Sequence, residues 1–159
     1  MSSISGRPKA FDTILLGGLI AGALDGLDAV VYYGWAFAVT PTALFQHIAS
    51  GLLGSRSFGG GWATTVLGVA CHFTIAIGAA AVFYAASRAI PFLGQKPWIS
   101  GPAFGICVYV VMHYIVVPLS AVAPRKVPMA GLELVDQFFS HMFFVGLPIA
   151  LMARRSARR

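Results

Sequence analysis

Two carboxylates and three imidazoles stand inside long apolar runs of this 159-residue chain. Asp25 and Asp28 lie in ILLGGLIAGALDGLDAVVYYGWAFAV, His72 in GWATTVLGVACHFTIAIGAAAVFYAA, and His113 and His141 in two later runs. Ionisable groups among so many apolar neighbours are costly unless they are paired, protonated or ligated. Carboxylates and imidazoles in series can relay protons or cations, and imidazole titrates near neutral pH. His72, His113 and His141 with Asp25 also form a sound ligand set for zinc or another transition metal, and paired histidines can hold a haem. The third outcome is mechanical: the groups satisfy one another and fasten the helices, with no reaction attached.

The elements that must position these groups follow from composition. Residues of the set AVILMFWYC make up 58% of the chain, and Asp, Glu, Lys and Arg only 10%, against roughly 25% charged in a soluble domain. That balance excludes an ordinary soluble protein, and the 13% of aromatic residues excludes a disordered one. Four apolar runs, at about 14–39, 61–86, 99–122 and 132–152, each meet the roughly 20 residues that a bilayer span needs. The expectation is an all-α integral membrane four-helix bundle forming one domain over 1–159. Pro41, then Arg88 with Pro91, then Pro124 with Arg125 and Lys126 punctuate the runs, and the basic tail ARRSARR ends the last. Arg7, Lys9 and the small-residue triplet Ala21-Gly22-Ala23 have the form of a cleavable signal. The apolar run continues through Val39, however, so it reads as an uncleaved first span.

The 11 basic residues give a net charge of +6, yet they sit at the termini and between runs, which is a topology signal. No soluble module carries a basic surface, so nucleic acid is not an expected partner. Eight basic residues fall on the side of the tails and three on the other, which places both termini in the cytoplasm. Between the first two spans, about 41–54 is too short to cross. Leu44, Ile48 and Leu52 recur at helical spacing there, as in an amphipathic helix lying in the interface, with a re-entrant element as the sharper alternative.

Helices in lipid associate through small residues and polar contacts. Gly18, Gly22 and Gly26 form two overlapping GxxxG units, with Gly68 in the second span. The expected use is packing inside the bundle, with homo-oligomer formation through the same strip as the competing use. At about 1.5 Å per residue, Asp25, Asp28, His72, His113 and His141 all fall roughly 15–21 Å from the tail-side edge of a core about 30 Å thick. Every span thus brings an ionisable group to one layer. Supporting polar residues are Gln46, Tyr109, Gln137 and Glu133, the last two in a stripe with His141 at i, i+4 and i+8. Asp136 falls on another face near the boundary, where solvation suffices. Cys71 and Cys107 read as packing residues, Pro118 and Pro148 as kinks that free carbonyls, and the phenylalanines around 138–144 as packing more than a quinone slot. No HExxH, CxxC, nucleophile elbow or phosphate loop is present, and nothing marks an enzyme.

At LFQHIASGLLG, SFGGG, LGVACHF and YVVMHYIVVPLS, together with GLIAGALDG in the first span, the chain resembles a group of small, uncharacterised bacterial inner-membrane proteins. The likeness runs from about Gly17 to Ser120 and puts Asp25, Gln46, Ser50, Gly54, Gly60, His72 and Pro118 on motif positions. It implies a four-span protein of the bacterial inner membrane and supplies no activity; His141 lies outside it. The sequence therefore points to a polar midplane site for passage of protons or a small solute. A metal- or haem-binding redox protein is the runner-up, and a non-catalytic assembly protein the third reading.

Overall fold

Four helices of 28, 29, 23 and 25 residues span Ala10–Phe37, Gly61–Ala89, Pro97–Leu119 and Leu132–Ser156 in the computed structural model, which describes residues 10–124, 129 and 131–157. Arg7, Lys9, Arg125, Lys126, Arg158 and Arg159, used above to orient the chain, lie outside the described residues. Each long helix is apolar enough to cross a bilayer, and the shortest, at 1.5 Å per residue, reaches about 34 Å. The chain is a multi-pass membrane protein of the all-α class, with no strand among the described residues. We call the long helices spans one to four.

The span ends follow local chemistry. Span one stops at Phe37, two residues before the expected Val39, because Ala38 turns left-handed at φ 54°. The amides of Ala38 and Val39 there close back on the carbonyls of Gly34 and Tyr33, a common helix-ending geometry. Span four runs past the expected 152 to Ser156 because nothing in its last turn breaks a helix, and Arg154 and Arg155 suit the negative end of its dipole.

Span one packs on spans two and four, span three packs on span four, and spans two and three stay apart along most of their backbones. Their side chains meet at Phe83 and Phe104, with ring centroids 5.0 Å apart. In the half of the bundle nearer the tails, Ala21, Ala80, Phe83, Val145, Ile149, Ala150 and Ala153 form an apolar core. Gly18, Gly22 and Gly26 make that fit with span two: a Cβ would come within 2.5 Å of the Ile77 Cα, 2.8 Å of the Phe73 ring and 3.1 Å of His72 Nε2, respectively. The GxxxG strip is thus filled by this chain's own second span. On the other side, Gly105 lies against the His141 carbonyl and Gly146 against that of Gly101, which lets spans three and four touch backbone to backbone.

The helix between spans one and two covers Pro41–Leu53. Thr40 caps it by accepting from the Ala43 amide at 3.2 Å, and Pro41 occupies its first turn. It packs along span two. Gly68, seven residues and about 10 Å into that span, sits against the Phe45 carbonyl. Gln46 donates to the Gly61 carbonyl (3.1 Å) and to Thr64 Oγ1 (3.3 Å). The Gly51 carbonyl accepts from the Ala121 amide beyond span three at 2.9 Å. The helix therefore roofs the space between spans two and three. Gln46 and Ser50, off the Leu44, Ile48 and Leu52 stripe, are buried with internal hydrogen bonds.

Spans three and four each contain one widened, π-helical turn, at Met112–Val116 and His141–Gly146. Both directly precede a Val-Pro or Leu-Pro step, at Pro118 and Pro148. Proline lacks an amide and collides with the carbonyl four residues back; opening the turn ahead of it relieves both faults. The two prolines thus widen their helices where the sequence suggested kinks, and His113 and His141 sit on the widened turns.

Candidate functional site

A space of about 150 Å³ lies at the middle of the bundle, lined by Asp25 and Gly22 of span one, His72 and Ala76 of span two, Val108 and Met112 of span three, and His141 and Val145 of span four, with Ile48 above. Three of the five ionisable residues that the sequence placed in one layer share this cavity. Asp28 and His113 do not line it.

Asp25 is held by span four. The Ser140 hydroxyl donates to its Oδ1 at 2.8 Å, and Asp28, one turn further along span one, lies against the same Ser140 side chain. Continuing away from the tails, Asp136 stands near Asp28, and the Tyr33 hydroxyl donates to Glu133 Oε1 at 3.1 Å. Spans one and four run antiparallel, so each turn up one helix meets a turn down the other. Asp25 with Ser140, Asp28 with Asp136, and Tyr33 with Glu133 are successive rungs of that register. Four of the chain's five acidic residues gather along it. Glu133 and Ser140 are buried, and Asp136 keeps one oxygen, Oδ2, buried without a hydrogen bond.

The two cavity histidines have fixed tautomers. His72 Nε2 lies 2.8 Å from the Gly22 carbonyl, and His141 Nδ1 lies 2.8 Å from the Gln137 carbonyl. A carbonyl only accepts, so each of these nitrogens carries hydrogen, leaving Nδ1 of His72 and Nε2 of His141 as acceptors in the neutral rings. Phe45 and Phe73 flank His72 edge to face at 6.2 and 5.5 Å.

Tyr109 is the hub next door. Buried, it stacks on His113 at 5.5 Å with ring planes 8° apart, and meets Phe138 at 4.5 Å and His141 edge-on at 5.5 Å. His113 is thereby held beside the site, behind the Tyr109 ring. Gln46 serves the roof helix, Gln137 orients His141, and Glu133 forms the far rung. Among the described residues no three His, Cys, Asp or Glu side chains gather as a metal-ligating group. Cys71 and Cys107 are free thiols.

Ser140 and Tyr33 were not singled out from sequence, and Asp136 was set aside as solvated. Their signal was present: Glu133, Asp136 or Gln137, and Ser140 recur at three to four residues, one helical face turned to span one. The single hydroxyl in FFSHMFF marks the turn that faces Asp25.

The geometry defines a class, a four-span α-helical membrane protein with a polar ladder leading to a midplane cavity. No family model, curated protein or solved structure matches the chain.

Proposed function

We propose that the midplane cavity is the working site of a protein that passes protons or a small solute across the membrane of a bacterial cell. The observation that carries this reading is the one-sided polar ladder. Glu133, Asp136, Asp28, Ser140 and Asp25 descend from the face of the Pro41–Leu53 helix to the cavity with His72 and His141. Below it, Ala21, Ala80, Phe83, Val145 and Ile149 pack into an apolar core on the tail side. A carboxylate and imidazole series that ends at an apolar plug is a half-channel, and carriage beyond it requires the plug to open.

The excess of basic residues on the tail side supports cytoplasmic termini, and the resemblance to small bacterial proteins supports the inner membrane. The half-channel then faces outward. The orphaned Oδ2 of Asp136 fits a loading path, because a buried acceptor without a donor is costly and is satisfied by any arriving proton or N–H group.

The test is flux. Liposomes carrying the protein and an internal pH dye are given a proton gradient in both directions. Asp25→Asn keeps the shape and the hydrogen bond from Ser140 while removing the charge, and should abolish dye response. Equal flux from the variant, or wild-type flux no greater than that of empty vesicles for protons and for small cations, would overturn the reading.

A further inference from the structure

The cavity has a side door. Between spans two and three, a wholly apolar hollow of about 370 Å³ is lined by Ile75, Val82, Phe104, Cys107 and Val111, and shares Ile75, Ala79, Val108 and Met112 with the midplane cavity. The two spaces are neighbours across those four side chains. Ile48 of the Pro41–Leu53 helix reaches the midplane cavity, and the Phe83–Phe104 contact forms the sill of the door. Cys107 and Val82 are exposed on the surface that faces lipid.

The polar end of this passage offers acceptors. Its polar lining consists of Asp25, His72 and His141, and both imidazole N–H groups are already spent on backbone carbonyls. What remains in the neutral rings is His72 Nδ1 and His141 Nε2, beside a carboxylate. Among the described residues no lysine or arginine lines either space. Such a lining repels an anion and suits a positively charged head that donates hydrogen bonds, while the door suits an alkyl chain.

We infer that the cavity and its side door form a binding site for a lipophilic ammonium ion, drawn from the bilayer between spans two and three. This inference rests on the reading of the cavity as the working site, and it names the solute class. The ammonium head sits against Asp25 and His141, and the chain lies along Ala79, Val108 and Cys107.

The test uses the full-length protein in nanodiscs with radiolabelled octylammonium, with empty nanodiscs for background. Saturable binding at one site is expected. Octanol and octanoate should fail to displace it, and octyltrimethylammonium, which has the charge but no N–H, should bind about tenfold more weakly. Asp25→Asn should weaken binding at least about tenfold. Ala79→Phe, which fills the doorway and leaves the polar groups in place, should do the same with size-exclusion profile and melting temperature retained. Absence of saturable binding, meaning that lipid alone fills the door, overturns the inference; so does displacement by octanol, equal affinity for the trimethyl compound, or undiminished binding by a folded Ala79→Phe protein. If octylammonium does not bind while Asp25→Asn still abolishes proton flux, the side-door inference falls and the half-channel stands.

Discussion

Ser140 of span four donates its hydroxyl hydrogen to Oδ1 of Asp25 in span one at 2.8 Å. A hydroxyl has one hydrogen, and this one is directed at a carboxylate that lines the cavity with His72 and His141. The contact fixes the register of two antiparallel spans and sets the carboxylate at the cavity wall.

Ser140→Ala should therefore cost more than a surface hydroxyl would. A hydrogen bond to a charged group contributes about 1.5–3 kcal/mol, and that loss should appear in reversible unfolding by mixed micelles. Proton flux should change as well. A variant of unchanged stability would show that the Asp25 contact does not hold the spans.

Asp136→Asn should act in the opposite direction. The buried Oδ2 of Asp136 accepts nothing, and an amide in its place can donate toward the neighbouring Asp28. A gain of about 1–2 kcal/mol is expected, together with slower flux if this rung loads the half-channel. Loss of stability would refute the account of the orphaned oxygen.

Two glycine substitutions separate close packing from helix propensity. At Gly105 an added Cβ would strike the His141 carbonyl, whereas at Gly78 it meets nothing within 4 Å. Gly105→Ala should destabilise by about 1–3 kcal/mol through overpacking. Gly78→Ala should be neutral or stabilise by about 0.5–1 kcal/mol, because glycine is the poorer helix residue. Melting temperatures of the two variants in one detergent check the contrast.

Ala38→Gly tests the end of span one. A left-handed alanine costs roughly 1–2 kcal/mol, and glycine removes that cost, so thermal stability should rise. An unchanged or lower melting temperature would mean that Ala38 leaves this conformation in solution.

Hydropathy made the four spans and the shared layer of Asp25, His72 and His141 legible, because length and depth along a helix are one-dimensional quantities. What hydropathy could not supply is rotation. His113 lies at the right depth, but its ring is taken up by Tyr109; Asp136 looked solvated, but it turns toward Asp28. The gap between spans two and three was equally hidden, since it depends on which spans are neighbours and not on what each contains. The Gly18, Gly22 and Gly26 strip was readable as an interface, while its partner, Ile77 to His72 of span two, needed three dimensions.

The widened turn at His141–Gly146 has an arithmetical effect on the rest of span four. A π turn holds one residue more than an α turn, and one residue corresponds to about 100° of rotation. Span four is thus two half-helices out of phase: the first aims Glu133 and Ser140 at span one, the second aims Ile149 and Ala153 into the apolar core. Deleting a single residue from 142–145 would let the helix run straight and would swing one half away from its partners. Shortening this helix by one residue should therefore do more harm than most point substitutions in it, because it misdirects a whole face at once.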